Sequence, residues 1–251
     1  MAERTAESAV RQLFDAKAVA WPSKYTPGGR LTNRLTRLAG AVTYRVLPAS
    51  SVLDIGCGTG ELARALAAAG LRVTGCDISP EMLHGAASAD PSGTVDWIQL
   101  DTGWRSLPFE SRTFDAVVAS SVLEYVDDPV AVLRDCCRVL RPPGVVLCTV
   151  PDPRHPVRWA EWLLGLAGRV PAIRAAGRRW PRLEGYLTYL QISRHRYSSR
   201  WWNAAARRAG LVVAEGMADA EVPSRLRLLT LQQTDDRMRY ESDPHRGENQ
   251  E

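Results

Sequence analysis

The 251-residue sequence predicts an α/β protein built on a doubly wound, mostly parallel sheet. Three observations carry this. From Ser51 onward, short apolar runs alternate with helical patterns, the rhythm of a parallel sheet with helices on both faces. The runs are almost continuously apolar, as strands covered on both sides must be. A glycine-rich loop, Gly56-Cys57-Gly58-Thr59-Gly60, directly follows the first run. That is where open α/β sheets bind ligands.

The elements follow in order. Residues 1–20 read as a helix with Val10, Leu13, Phe14 and Ala18 on one face. Pro22, Pro27 and Gly28-Gly29 make a loop. Leu31 to Val46 reads as a second helix, so residues 1–50 form an N-terminal helical cap. SVLDI is the first strand, and Glu61 to Ala69 is an alanine-rich helix stopped by Gly70. RVTGCD is the second strand. Ser79-Pro80-Glu81 opens a helix, with serine as N-cap and proline in the first turn. VDWIQL and FDAVVAS are the third and fourth strands, a helix runs from Asp128-Pro129 to Leu140, and Gly144 to Val150 is the fifth strand. Pro151 and four further prolines, Pro153, Pro156, Pro171 and Pro181, then break the rhythm, and residues 152–197 form an insertion. Ser198 to Ala209 is a helix, and LVVAEGM and RLRLLTLQQ complete seven strands. The α/β domain thus comprises residues 51–151 and 198–233, and the polar tail 234–251 is expected to be disordered.

Composition narrows the functional classes. No stretch approaches the roughly 18 apolar residues of a membrane span. The charged N-terminus lacks a signal-peptide core, so a cytoplasmic protein is expected. The five cysteines, Cys57, Cys76, Cys136, Cys137 and Cys148, fit neither a disulfide framework nor a zinc site and read as reduced packing residues. No cluster of acids and histidines suggests a metal. Net charge is +4, but residues 154–208 hold 12 arginines against two acids. That segment is +10, which leaves −6 elsewhere, and it carries five of the eight tryptophans. Such asymmetry can mark a surface for an anionic partner, although 30 arginines against two lysines overall also reflects a general preference for arginine.

The glycine loop restricts its own ligand. A phosphate-binding G-x-x-x-x-G-K-[ST] loop is excluded, because no lysine follows. The spacing is G-x-G-x-G at 56, 58 and 60, not the G-x-G-x-x-G of dinucleotide sites. S-adenosylmethionine has no phosphate, so it needs no helix N-terminus aimed at one. Asp54 could hold its ammonium, and loop N–H groups its carboxylate.

VLDIGCGTG, then GCDIS, the Asp101-Thr102 pair and FDAVVASSVLEYVDDP resemble successive motifs of class I S-adenosylmethionine-dependent methyltransferases. The resemblance is strong over residues 51–151 and weaker over 198–233. It implies a seven-stranded Rossmann-like sheet and a cofactor site of Asp54, Gly56, Cys57, Gly58, Gly60, Asp77, Ile78, Asp101, Thr102, Ser120 and Ser121. Asp77 would accept from the ribose hydroxyls, Ile78 would lie against the adenine, and Asp101 would accept from its amino group. Ser120 and Ser121 would adjoin the methionine moiety. FDAKAVAWPSKY resembles the helical cap of small-molecule members, which implies that Tyr25 covers the cofactor and Arg30 pairs with its carboxylate. The plainer reading is that Trp21 and Tyr25 only pack the cap on the sheet.

The resemblance implies methyl transfer to a small molecule, such as a secondary metabolite, with O-methylation ahead of N- or C-methylation. A hydroxyl acceptor can need a base. The candidates are His195 and His155, with Glu124 able to orient a substrate; all three also have packing or surface readings. Many hydroxyl-methylating relatives have a histidine at the place of Tyr125. The insertion should overlie the sheet mouth and supply the acceptor pocket. Trp159, Trp162, Tyr186 and Tyr189, with Tyr125, would form an aromatic wall, and the arginines suit an anionic or carrier-bound acceptor. VRWAEWLLGLAGR could instead lie on a membrane surface. The low overall charge disfavours nucleic acid. The rival class is a protein of the same fold that binds the cofactor but serves as a cyclase or interaction module. Oligomeric state is not fixed by these features.

Overall fold

The structure is a computed structural model that describes residues 2–167, 180–214 and 225–233. Helix α1 (Ala2–Asp15) and a short 3-10 turn (Pro22–Lys24) precede α2 (Arg30–Thr43). The sheet follows as β1 (Ser51–Ile55), α3 (Glu61–Ala68), β2 (Arg72–Asp77), α4 (Pro80–Ser88), β3 (Val95–Gln99), β4 (Phe114–Ser120), α5 (Pro129–Val139) and β5 (Leu140–Pro151). The insertion contributes α6 (Val157–Ala167) and α7 (Pro181–Ile192). Then α8 (Ser199–Arg208), β6 (Leu211–Val213) and β7 (Leu226–Gln233) close the fold. Residues 168–179, the end of the predicted LVVAEGM strand and the tail from 234 lie outside the described residues.

The seven strands are ordered β3-β2-β1-β4-β5-β7-β6. β7 runs antiparallel to both β5 and β6, and the remaining neighbours are parallel. Strand order reverses between β1 and β4, the switch point at which ligands bind in such sheets. Alternation along β1 sends Leu53 and Ile55 to one face and Val52 to the other. Leu53 and Ile55 pack in a core with Leu133 and Cys136 of α5 and Trp202 and Ala205 of α8. Val52 packs with Leu38 and Val42 of α2 and Leu62 and Leu66 of α3.

Helix starts follow the sequence signals. Ser79 Oγ accepts from Met82 N at 3.1 Å, and Asp128 Oδ1 accepts from Val130 N at 2.8 Å. These caps satisfy N–H groups that lack helical partners. The first helix is shorter than its apolar periodicity suggests. It ends at Asp15, and tight bonds from Lys17 N to Phe14 O and from Ala18 N to Asp15 O turn the chain. Asp15 then accepts from Ser79 Oγ at 2.6 Å, tying the cap to the sheet domain. β5 starts four residues earlier than Gly144 because Leu140 already pairs with Phe114 of β4. All five cysteines are free thiols. Among the described residues, no helix is long and apolar enough to cross a membrane, and no group of acids, cysteines and histidines could hold a metal ion.

Gly60 starts α3 at φ +79°, and a Cβ there would sit 2.4 Å from Trp97 Cη2. Both left-handed backbone and ring contact oppose a side chain. Gly60→Ala should therefore cost about 1–3 kcal/mol, read as a lower urea midpoint by tryptophan fluorescence. An unchanged midpoint would mean that Trp97 can retreat freely.

Candidate active site

The carboxyl ends of β1, β2 and β4, the N-terminal cap and the insertion enclose a cavity of about 700 Å³. That is within the roughly 300–1,000 Å³ of small-molecule sites. Its walls differ in chemistry.

One end is built on the glycine loop. Gly56 and Gly58 have φ of +66° and +57°, and a Cβ on Gly56 would meet Val122 Cγ2 at 2.5 Å. Gly56 N and Cys57 N donate to Cys76 O at 2.7 and 3.1 Å, and Gly58 N donates to Asp77 Oδ2 at 2.9 Å. Asp77 Oδ1 accepts from Ser79 N at 2.9 Å. Asp77 lines the cavity, and its two oxygens offer more acceptor sites than these bonds use. Burial raises the Asp77 pKa, and the bonds from Ser79, Gly58 and Ile78 oppose the rise.

Asp54 ends its strand beside this loop. It is 1% exposed, and its Oδ2 has no hydrogen-bond partner. Burial first, then the charges of Asp77 and Glu61, push its pKa up to about 8. A buried carboxyl without a partner costs free energy unless a donor or cation meets it. Across the cavity stands Arg34, whose Nη1 donates to Ser121 Oγ at 2.8 Å. Asp54 and Arg34 thus bring a buried carboxyl and a cation to one cavity.

The other end is aromatic with buried ions. Tyr186 and Tyr189 stack with centroids 5.8 Å apart, Tyr125 meets Tyr189 edge-on at 6.4 Å, and Phe14 meets Tyr125 at 5.4 Å. Glu124 is 2% exposed, and its Oε2 accepts from Ser193 Oγ at 2.5 Å and Tyr189 OH at 3.4 Å. Burial raises its pKa, against the Ser193 bond and the charges of Arg158 and Arg196. Glu161 pairs with Arg158, lies 3.5 Å from Arg196 Nη1 and accepts from Tyr186 OH at 3.1 Å. Glu124, Arg158 and Glu161 all line the cavity.

Residues 53–148 match the sequence profile described as a methyltransferase domain. That segment is similar to a methyltransferase domain and holds the glycine loop with the strands β1, β2 and β4 around it. The chain is 35% identical over 121 residues to a ubiquinone biosynthesis O-methyltransferase of Xanthomonas campestris pv. campestris, covering 47% of this chain and 50% of that protein. It is 34% identical over 155 residues to a demethylmenaquinone methyltransferase of Tropheryma whipplei, covering 61% and 63%. The chain therefore spans about half the length of the first of these relatives. Its fold is that of the magnesium protoporphyrin IX methyltransferase of Synechocystis with bound S-adenosylmethionine, at a TM-score of 0.63, 16% identity and coverage of 91% and 97%.

Within this methyltransferase domain and its additions, most of the predicted site residues converge. Tyr25, Asp54, Gly56, Cys57, Gly58, Asp77, Ile78, Ser120 and Ser121 line the cavity, as do Glu124, Tyr125, Tyr186 and Tyr189. Gly60 shapes the turn behind it. The other placements are corrected. Arg30 is exposed and outside the lining, whereas Arg34, one helical turn on, lines the cavity. The phase of α2 already pointed to Arg34, between Leu31, Leu35 and Leu38 on the cavity face. Asp101 and Thr102 are exposed, and Leu100, Gly103 and Trp104 line the cavity instead. The N–H groups of Gly56, Cys57 and Gly58 are bonded within the protein and are not presented to a ligand carboxylate.

Neither histidine is placed as a base. His195 is buried outside the lining, with Nε2 donating to Val126 O at 2.5 Å and Nδ1 accepting from Tyr197 OH at 3.0 Å. His155 also lies outside the lining, and its Nδ1 accepts from Val157 N at 3.2 Å. Trp159 and Trp162 point away from the cavity, 74% and 58% exposed. The sequence reading missed Lys17, Arg158 and Glu161 on the walls. The last two were legible as an i, i+3 charge pair, each member directly before a tryptophan of the same helix.

Asp54 gives a signed expectation. Between 3.8 and about 8 the folded chain holds its proton and the unfolded chain does not. Stability contributed by this group is thus full below that window and is lost as pH rises through it. Asp54→Asn should raise the melting temperature of the ligand-free protein by about a few degrees near neutral pH and flatten the decline toward alkaline pH. Thermal scans across pH check this; a lower-melting variant would mean that the ionised carboxylate is stabilised where it sits.

Proposed function

We propose that the chain transfers a methyl group from S-adenosylmethionine to an oxygen of a small aromatic acceptor. The observation that carries this reading is the two-ended cavity. It sets an unpartnered buried Asp54 beside Asp77 at one end, and a tyrosine wall holding Glu124 at the other. When bound, S-adenosylmethionine supplies a methyl group on a positively charged sulfur, the electrophile of the reaction.

The residues present fit that group. Asp54 meets the ammonium, which favours its ionised form, and Arg34 meets the carboxylate. Asp77 accepts from the ribose through the lone pairs that Gly58 and Ser79 leave. Ile78 and Leu100 give the adenine an apolar surface. The cap, with Phe14, Trp21 and Tyr25 on the cavity, keeps water from the reacting centre and holds the two substrates in line.

At the acceptor end, Tyr125, Tyr186 and Tyr189 offer ring faces and edges to an aromatic acceptor. In this reading Glu124 takes its hydroxyl proton, supported by its position on the cavity lining, from which both histidines are missing. Its raised pKa improves its match to a proton released near neutral pH. The relatives' names, one an O-methyltransferase of ubiquinone biosynthesis and one a demethylmenaquinone methyltransferase, support a quinone-like ring. They favour it over an unrelated secondary metabolite.

The test is formation of S-adenosylhomocysteine from S-adenosylmethionine with a panel of catechols and hydroquinones, followed by mass spectrometry. Glu124→Gln should bind the cofactor normally and lose about 100-fold or more in turnover. A base must be ionised to act, so wild-type kcat/KM should rise with pH through a value above the ordinary glutamate range, and the variant should lose that limb. Full turnover in Glu124→Gln would remove the base role. Cofactor binding with no turnover on any acceptor would favour a non-transferring protein of this fold.

A further inference from the structure

We infer that α6 docks the protein on an anionic lipid bilayer, so that the cavity draws its acceptor from the membrane. The docking stands on the helix alone, and the acceptor part rests on the methyl-transfer reading above.

Helix α6 is mounted inside out. A helix on a water-soluble protein normally turns its apolar stripe inward and its charges outward. Here the side chains of Arg158 and Glu161 are 9% and 3% exposed and line the cavity. Trp159, Trp162, Leu163 and Leu166 recur at i, i+3, i+4 and i+7 on one face and are 74%, 58%, 57% and 50% exposed. Leu164 beside them is 37% exposed, and Trp180, at the start of α7, is 65% exposed. By contrast, Trp202 of the same tryptophan-rich segment is 2% exposed in the core. A contiguous apolar stripe on water marks an interaction surface, and tryptophan with leucine is the composition that enters the headgroup boundary.

Charge decides which surface it meets. The stripe lies in the segment 154–208, which is +10 while the rest of the chain is −6. A segment that carries this apolar stripe and an excess of arginine over acid complements anionic headgroups over acyl chains. Two copies meeting through this face would bring two such segments together. Nucleic acid would satisfy the arginines but offers nothing to Leu163, Leu164 and Leu166. Since the inner face of α6 carries Arg158 and Glu161 on the cavity wall, a bilayer against the outer face lies next to the acceptor end. The matching acceptor has an aromatic ring that reaches Glu124 and an aliphatic tail that keeps it in the lipid.

The experiment is co-sedimentation of the full chain with vesicles of phosphatidylglycerol and phosphatidylcholine, compared with phosphatidylcholine alone. Wild type should bind the anionic vesicles, more weakly at high salt, with a blue shift in tryptophan emission. Trp162→Glu and, separately, Leu163→Glu should each weaken binding by roughly tenfold or more. Both sites are exposed, so the variants should keep the wild-type melting temperature and cofactor affinity, which verifies folding. Absence of vesicle binding, or equal binding by both variants, overturns the docking. So does light scattering that shows a wild-type dimer and monomeric variants, because the face would then serve a second copy. For the acceptor, a hydroquinone with a long aliphatic tail is presented in vesicles and the tailless ring in solution. Trp162→Glu should raise KM for the first and leave kcat/KM for the second unchanged. Equal effects on both overturn the membrane-delivered acceptor. Vesicle binding without turnover of either ring removes the methyl-transfer reading and leaves the docking intact.

Discussion

The site depends on a carboxyl group held where water cannot reach it. Asp54 follows Leu53 in the central strand β1, and the alternation that puts Leu53 and Ile55 into one core turns Asp54 to the other side. β2 and β4 flank it on both sides, and the glycine loop closes over its end. The loop can do so only because Gly56, Gly58 and Gly60 adopt left-handed backbone and leave no Cβ in the way of Val122 or Trp97. The N–H groups of Gly56, Cys57 and Gly58 are spent on Cys76 and Asp77, so these three supply shape rather than donors. Charged side chains reach the same cavity from elsewhere: Asp54 and Asp77 from the strands, and Arg34 from the cap.

That division explains why the cap matters. The sheet supplies acids and glycines but no cation opposite them. Arg34 comes from α2, and Phe14, Trp21 and Tyr25 come from the chain before it. Ser79 links the two parts, capping α4 through its acceptor lone pair while donating to Asp15. At the far end the insertion plays the same role. Its α7 tyrosines and the Arg158–Glu161 pair of α6 surround Glu124, a residue of the sheet domain. Ser193 and the Arg194 backbone hold Glu124 from the end of the insertion. Three parts of the chain thus meet around one cavity, one end of it built by the sheet and its glycine loop and the other shaped by the addition.

The inside-out placement of α6 follows from the same arrangement. Glu124 is buried and its charged form is disfavoured there, so cations from the insertion must approach it. Arg158 does this, and Glu161 neutralises Arg158. A helix that turns its ion pair inward has its apolar stripe left for the outside. The exposed tryptophans are therefore the geometric counterpart of the buried pair.

The sequence by itself determined the seven strands, their alternation with helices, the glycine loop and the acids at strand ends. These rest on local rules of periodicity, capping and positive φ, which act within a few residues. It also marked the aromatic, arginine-rich insertion. Only the tertiary structure decided which side chains share the cavity. Asp101 and the histidines looked suitable by type and position, yet a turn carries Asp101 outward, and Val126 and Tyr197 occupy both nitrogens of His195. Arg30 and Arg34 are chemically identical and differ by one helical turn, and the docking of α2 selects one. Trp159 and Arg158 are neighbours in sequence, but successive helical residues diverge by about 100°, so one faces the cavity and the other the surroundings. Which way α6 faces depends on its partners elsewhere in the chain, and its own apolar pattern pointed the other way.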